Sequence, residues 1–230
     1  MIRSKQSNIN QMIKGDTRMK DYSAMHILMI LLGLSVLLHS DGIIKQINGV
    51  KIGPYATLEN AWMMDAHLKG VNLTHANLKR SNLTNANLTD ANLSDTELEG
   101  ATLEGATLVN VYAKGVNLED SILNHTNLTG ANLQNGNLKG SNLGNANLLR
   151  ADLSNARIER VNLTLANLQN TNLKNANLSL AYLVKANLQN ANLKGANIKG
   201  ANLTHANLEN AIWIDGTKCT KGSIGKCIKE

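Results

Sequence analysis

Phenylalanine is missing from these 230 residues, aromatic side chains of all kinds make up 3 % of them, and there is a single proline, Pro54. So few aromatics leave no platform on which the bases of single-stranded nucleic acid could stack. The formal charge of +6 supplies no basic stripe either, because it divides into +3 for residues 1–40, +1 for 41–55, −1 for 56–215 and +3 for 216–230. A nearly neutral middle section cannot track a phosphate backbone, so no nucleic-acid partner is expected. Only one long apolar run exists, Ala24 to Leu38, and no cysteine lies near its end, which argues against a bacterial lipoprotein anchor. No Ser-His-Asp grouping, phosphate-binding glycine loop or carboxylate pair stands out, and the chain is expected to be no enzyme and to need no cofactor.

What the chain does have is a five-residue unit, approximately Ala-Asn-Leu-x-x, that runs from Ala56 to Asp215 without insertion or deletion. Leucine fills 27 of the 32 central positions between Leu58 and Trp213, the others being Met63, Ala113, Ile158, Ile198 and Trp213. Two residues earlier nothing larger than Val occurs, and 21 of the 32 positions are Ala. One column is therefore obligatorily apolar and the other faces a cramped interior. A helix turns about 100° per residue, so a step of five scatters the leucines around its circumference. A flat strand alternates sides at every residue and throws successive leucines onto opposite faces. Only a chain that bends by the same amount in each repeat, coiling around a continuous core as a solenoid does, keeps them together.

Units such as Ala131-Asn132-Leu133-Gln134-Asn135 and Ala191-Asn192-Leu193-Lys194-Gly195 closely resemble the pentapeptide-repeat family, over about 160 of the 230 residues. The resemblance implies an all-β fold, a right-handed quadrilateral β-helix with four repeats per coil and about 8 coils. At about 4.8 Å per coil the rod is expected to be roughly 38 Å long. Asparagine fills 20 of the 32 positions before the centre. There its amides could bond in ladders from coil to coil, or simply be tolerated at a corner. Ala113 is expected to leave the core underfilled, within weaker repeats from Thr96 to Asn124 that read as drift in a redundant array or as a contact site.

The flanks suggest four segments. Residues 1–40 read as a signal peptide, with a leader helix. Arg3, Lys5, Lys14, Arg18 and Lys20 precede fifteen apolar residues, too few for a membrane span. An uncleaved N-terminal anchor is the alternative, and Met19 is a possible true start. Residues 41–55 read as a cap, a β-hairpin of Ile43–Ile47 and Val50–Ile52 about Asn48-Gly49. Residues 56–215 are the repeat array. Residues 216–230 form a closing cap in which Cys219 and Cys227, the only cysteines, are expected to pair as a disulfide, with a two-cysteine metal site as the alternative that no nearby histidine completes. This tail also resembles the Cys-containing endings of exported bacterial members of the family.

With residues 20 apart stacked, the charges collect on one face, which holds 12 of the 25 in the array. Lys79, Arg80, Glu99, Glu119, Lys139, Glu159 and Lys199 lie there with opposite signs mostly adjacent, as a solvated face does. If the rod has a contact face, this is the expected one. His67, His75, His125 and His205 fall at outward positions, and His125 and His205 are four coils or about 19 Å apart, too far to share a metal. The expectation is a non-enzymatic, secreted or periplasmic module that presents a rigid polar surface to a protein or cell-envelope partner. A membrane contact is expected only if the leader stays on. One alternative is the role that some members of the family play as DNA mimics protecting type II topoisomerases, which the leader and the near-neutral array disfavour. An enzyme acting on envelope polysaccharide is the other, with only a general β-helix analogy behind it.

Overall fold

The computed structural model describes residues 36–38, 44–47 and 50–229. Within them the repeats coil without interruption. Every parallel bridge joins residues 20 apart, from Thr57 with Asn77 to Asn192 with Ile212, so four repeats complete each coil. Two backbone hydrogen bonds make each bridge; Leu83 N–H, for example, donates to Thr102 O at 2.7 Å and Thr102 N–H to Ser81 O at 2.9 Å.

The corners follow from local chemistry. In Leu58–Ala61 the Leu58 carbonyl accepts from Ala61 N–H at 3.1 Å while Asn60 holds φ 57°. A positive φ at the third residue is what a type II β-turn demands. Asn, Asp and Gly occupy most such corners, the residues that reach left-handed backbone most cheaply. The asparagine before each leucine braces the turn that follows: Asn82 Oδ1 accepts from Thr84 N–H at 3.0 Å and Asn92 Oδ1 from Ser94 N–H at 3.0 Å. Where asparagine stacks on asparagine the amides also bond coil to coil, Asn137 to Asn117 at 3.0 Å and Asn197 to Asn177 at 2.9 Å. Ladder and corner brace coexist on the same side chains.

Inside, the leucine and alanine columns form one continuous core. Most hydroxyls that replace alanine hydrogen-bond backward to the backbone, Ser121 to Leu118 O at 2.6 Å and Thr96 to Leu73 O at 2.8 Å, which compensates their burial; Ser81 Oγ is the exception, buried without a partner. Ala113 is 1 % exposed and seals its wall. Buried Val111 and Val116 flank it where alanine is the rule.

The two ends of the rod differ. At the start β1 (Val36–Leu38), β2 (Ile44–Ile47) and β3 (Val50–Lys51) form an antiparallel sheet in that order, with Ile47 opposite Val50 and Val36 opposite Ile47. Ile52 then enters the core. The expected leader and the alternative start at Met19 lie outside the described residues except for β1. There the apolar run is a strand and not the end of a leader helix, because its backbone is paired with the isoleucine-rich β2. The Asn48-Gly49 connection also lies outside the described residues.

At the far end the tail doubles back and runs antiparallel over the last coil, opposing Lys218 to Ile212 and Ile224 to Asn207. Cys219 is fully buried and bonded to Cys227, with an S–S distance of 2.06 Å. Trp213 is half-buried against the core. The tail crosses only half of the opening, and Ile198 and Leu203 on the other half are partly exposed.

Leu133→Ala is expected to lower stability by about 2–5 kcal/mol through the cavity it leaves. Ala131→Leu, in the cramped column, is expected to lower it by about 1–3 kcal/mol through overpacking. Both shifts are read from the midpoint of urea unfolding; an unchanged midpoint for either would contradict the inward assignment of its column.

Candidate functional site

Two adjacent walls of the rod carry distinct chemistry. Wall 1 is the side whose inward residues run from Leu58 to Ile198 in steps of 20. All seven charged residues singled out from the sequence stand on it: Lys79, Arg80, Glu99, Glu119, Lys139, Glu159 and Lys199. The structure engages most of them with their stacked neighbours. Lys79 Nζ lies 3.1 Å from Glu99 and 3.6 Å from Glu97, Lys139 Nζ 2.7 Å from Glu119, Arg157 Nε 3.8 Å from Glu159 and Arg80 3.9 Å from Glu59.

The hydrogen bond to Glu99 and the charge of Glu97 raise the pKa of Lys79 above its ordinary value. The hydrogen bond from Lys139, with a second from Asn137, holds the Glu119 carboxyl below its ordinary value. On the wall that immediately precedes wall 1 along the chain, burial raises the pKa of Asp152, yet hydrogen bonds from Gln134, Ser154 and Asn172 outweigh it and leave the carboxylate favoured. These interactions tie coil to coil and bring together no nucleophile and base.

Glu59, Glu97, Asp120, Arg157 and Arg160 stand on wall 1 as well, and the sequence reading did not single them out. With them included the wall is polarised along its length. Between residues 57 and 120 it holds Glu59, Glu97, Glu99, Glu119 and Asp120 against Lys79 and Arg80, a net −3. Between 137 and 200 it holds Lys139, Arg157, Arg160 and Lys199 against Glu159, a net +3. Alternation from one residue to the next hid this division, which appears only when the column is summed by halves.

Wall 2, whose inward residues run from Met63 to Leu203, carries one charge between its corners, Glu104. Exposed Trp62, Ile122 and Tyr182 replace asparagine there, one on every third coil. Toward the tail the asparagine ladder that joins Asn162 to Asn142 at 3.0 Å stops at Tyr182, which is 54 % exposed. Beside it Leu180 forms the corner with φ 60°, and Leu165 forms the wall's other corner one coil below with φ 61°; both are half-exposed. The left-handed conformation costs a branched side chain on the order of 1–3 kcal/mol, and exposure offsets none of it. Leu180 leans over Gly200, where an added Cβ would come within 2.7 Å of its Cδ2. The result is a shallow recess of about 250 Å³ lined by Arg160, Leu180, Ala181, Tyr182, Gly200 and Asn202.

His67, His75, His125 and His205 are all exposed corner or wall residues, and His75 stacks on Tyr55 with ring centroids 5.0 Å apart. Among the described residues no group of three His, Cys, Asp or Glu is placed to hold a metal ion. The sequence reading passed over wall 2 because it followed charge; the available signal was the replacement of the turn-forming residue by leucine at 165 and 180.

The chain matches the family model for pentapeptide repeats in 8 copies, within residues 55–90, 66–105, 86–124, 114–148, 126–164 and 162–200. It is similar in structure to HetL, a pentapeptide repeat protein involved in heterocyst differentiation regulation from the cyanobacterium Nostoc sp. strain PCC 7120. That similarity has 28 % identity and a TM-score of 0.58, and covers 70 % of this chain and 81 % of HetL. It shares the fold of QnrB1, a plasmid-mediated fluoroquinolone resistance protein, at 16 % identity and a TM-score of 0.54, covering 66 % of this chain and 86 % of that one. No curated protein matches it.

The Glu119 carboxyl is expected to titrate below an unperturbed glutamate in a carbon-detected NMR titration, and Lys139→Met to move its midpoint upward. Since the folded pKa is the depressed one, the contribution to stability is complete above the unfolded value and disappears as pH falls through the folded value. A midpoint indifferent to Lys139 would remove the ion pair from the account of wall 1.

Proposed function

The chain belongs to the pentapeptide-repeat family, and from that premise we propose that it is a non-catalytic, exported interaction module whose wall 2 binds a partner protein near the recess beside Leu180. One observation carries the reading. At Leu165 and Leu180 the sequence breaks two local rules together, placing an exposed apolar side chain on backbone that favours Asn or Gly. A strained corner that also exposes a leucine serves the fold in neither respect, and Tyr182 and Ile122 extend the same apolar ground along the wall. Arg160 and Asn202 at the margin supply the polar groups that orient a partner on an otherwise charge-poor surface. The rigid stack holds these groups in fixed register, which lowers the ordering cost of association.

Export rests on the charged apolar leader and on the Cys219–Cys227 disulfide, a bond that persists in oxidising compartments. Removal of the leader after Ser40 would take away β1, the strand paired with β2. QnrB1 lends the shared fold and no target, because wall 1 here has no net charge and therefore does not resemble the uniform acidity of a duplex.

A photoreactive residue in place of Tyr182 is expected to give a discrete protein adduct in the native host, while the same residue at exposed Lys174, on a different wall, gives none. Leu180→Asn is expected to abolish that adduct and raise stability by about 1 kcal/mol or more, because it relieves the corner. Equal adducts at both positions, or an adduct indifferent to Leu180, would sink the assignment to wall 2. Intact-mass measurement of native material is expected to show loss of the leader and of two hydrogens. A full-length cytosolic chain with free thiols would overturn export.

A further inference from the structure

The polarity of wall 1 makes it complementary to itself when reversed, and we propose that this wall is the contact surface of an antiparallel homodimer. Two flat walls laid face to face with the rods antiparallel are related by a two-fold axis in the interface plane, perpendicular to the rods. That operation sets each outward column opposite the same column of the second copy and reverses the order of the coils, so the pairing is dictated residue by residue. The coil of residues 57–60 meets that of 197–200, and Glu59 faces Lys199 of the second copy. The coil of 97–100 meets that of 157–160, and Glu97 faces Arg157. The coil of 117–120 meets that of 137–140, and Glu119 faces Lys139. Symmetry doubles each of these opposite-sign pairs.

The cationic coil of Lys79 and Arg80 meets Ser179 and Leu180, which carry no charge. Only Glu99 opposes a like charge, Glu159, and each already has its own cation, Lys79 at 3.1 Å and Arg157 at 3.8 Å. Parallel rods would instead set the −3 half on another −3 half and the +3 half on another +3 half. The charge pattern thus selects one of the two symmetric arrangements. From Thr57 to Asn197 the wall climbs seven coil steps, which makes it about 34 Å tall and about 10 Å wide. At roughly 340 Å² per copy this contact is smaller than a stable specific interface, so the dimer is weak and transient, concentration-dependent and sensitive to salt.

The decisive residues are Glu59 and Lys199, at opposite ends of the rod and about 34 Å apart, so that they cannot meet within one copy. Sedimentation velocity of the purified full chain is expected to show dimer at about 20 mM salt and loss of dimer at about 300 mM. Glu59→Lys and Lys199→Glu alone are each expected to raise the dimer dissociation constant tenfold or more. Mixing the two variants restores dimer, because the reversed charge at position 59 of one copy then faces the reversed charge at position 199 of the other, while the unaltered Lys199 and Glu59 meet at the opposite end. The double variant carries both exchanges and is expected to dimerise within about threefold of the parent. A monomer at low salt overturns the proposal, as does a dimer that tolerates both single reversals or a mixture that fails to re-form. Both altered positions are exposed and lie off wall 2; Arg160 and Leu180 stand at the corner shared by the two walls, so the dimer covers part of the recess, and the monomeric Glu59→Lys variant, altered at the far end of the rod, is expected to keep the Tyr182 adduct.

Discussion

A backbone residue in left-handed conformation once every five positions is the constraint on which the rest of this molecule depends. It closes each β-turn, each turn sets the angle at which the next short strand departs, and only equal angles bring residues 20 apart into hydrogen-bonding register. Burial of leucine alone does not choose this geometry, since a leucine column could be buried in many ways. The corner chooses it, and asparagine supports the corner from the position before the leucine by accepting the N–H of the residue after it. Once the angle repeats, hydrogen bonds accumulate along the whole rod and cooperativity follows from nearest neighbours.

Much of this could be read from the chain because the repeat never slips. Leu133 and Ala131 had to point inward, and the stacking of Glu119 under Lys139 followed from counting in twenties. That Val111 and Val116 are buried inward beside Ala113 was less visible, because valine there reads as drift. Other features were hidden for physical reasons. The direction of the tail depends on which backbone groups the last coil leaves unpaired, and those have no sequence signature. The significance of Leu165 and Leu180 was missed because hydropathy makes them ordinary, whereas their φ makes them costly. That Val36–Leu38 pairs with Ile44–Ile47 was obscured by composition, because an apolar run serves a strand or a leader equally well.

The two walls illustrate how a scaffold with a nearly invariant interior diversifies. The inward columns admit few residue types, but the three outward positions of each repeat are almost free of packing constraints. Wall 1 uses that freedom for charge and wall 2 for scattered apolar groups, with a corner residue such as Leu180 belonging to both. Neither wall needs a change of backbone, so either character can be acquired one residue at a time.

The period of 20 residues also governs which insertions and deletions the molecule can absorb. Gain or loss of 20 residues lengthens or shortens the tube and leaves every column continuous. A change of five residues keeps the interior intact yet rotates everything beyond it by a quarter turn, so that Lys199 would move off the side that carries Glu59. A length that is not a multiple of five breaks the helical pitch itself. Surface identity in this architecture is therefore a matter of counting, and a single repeat gained or lost can reassign a whole flank while the core registers nothing.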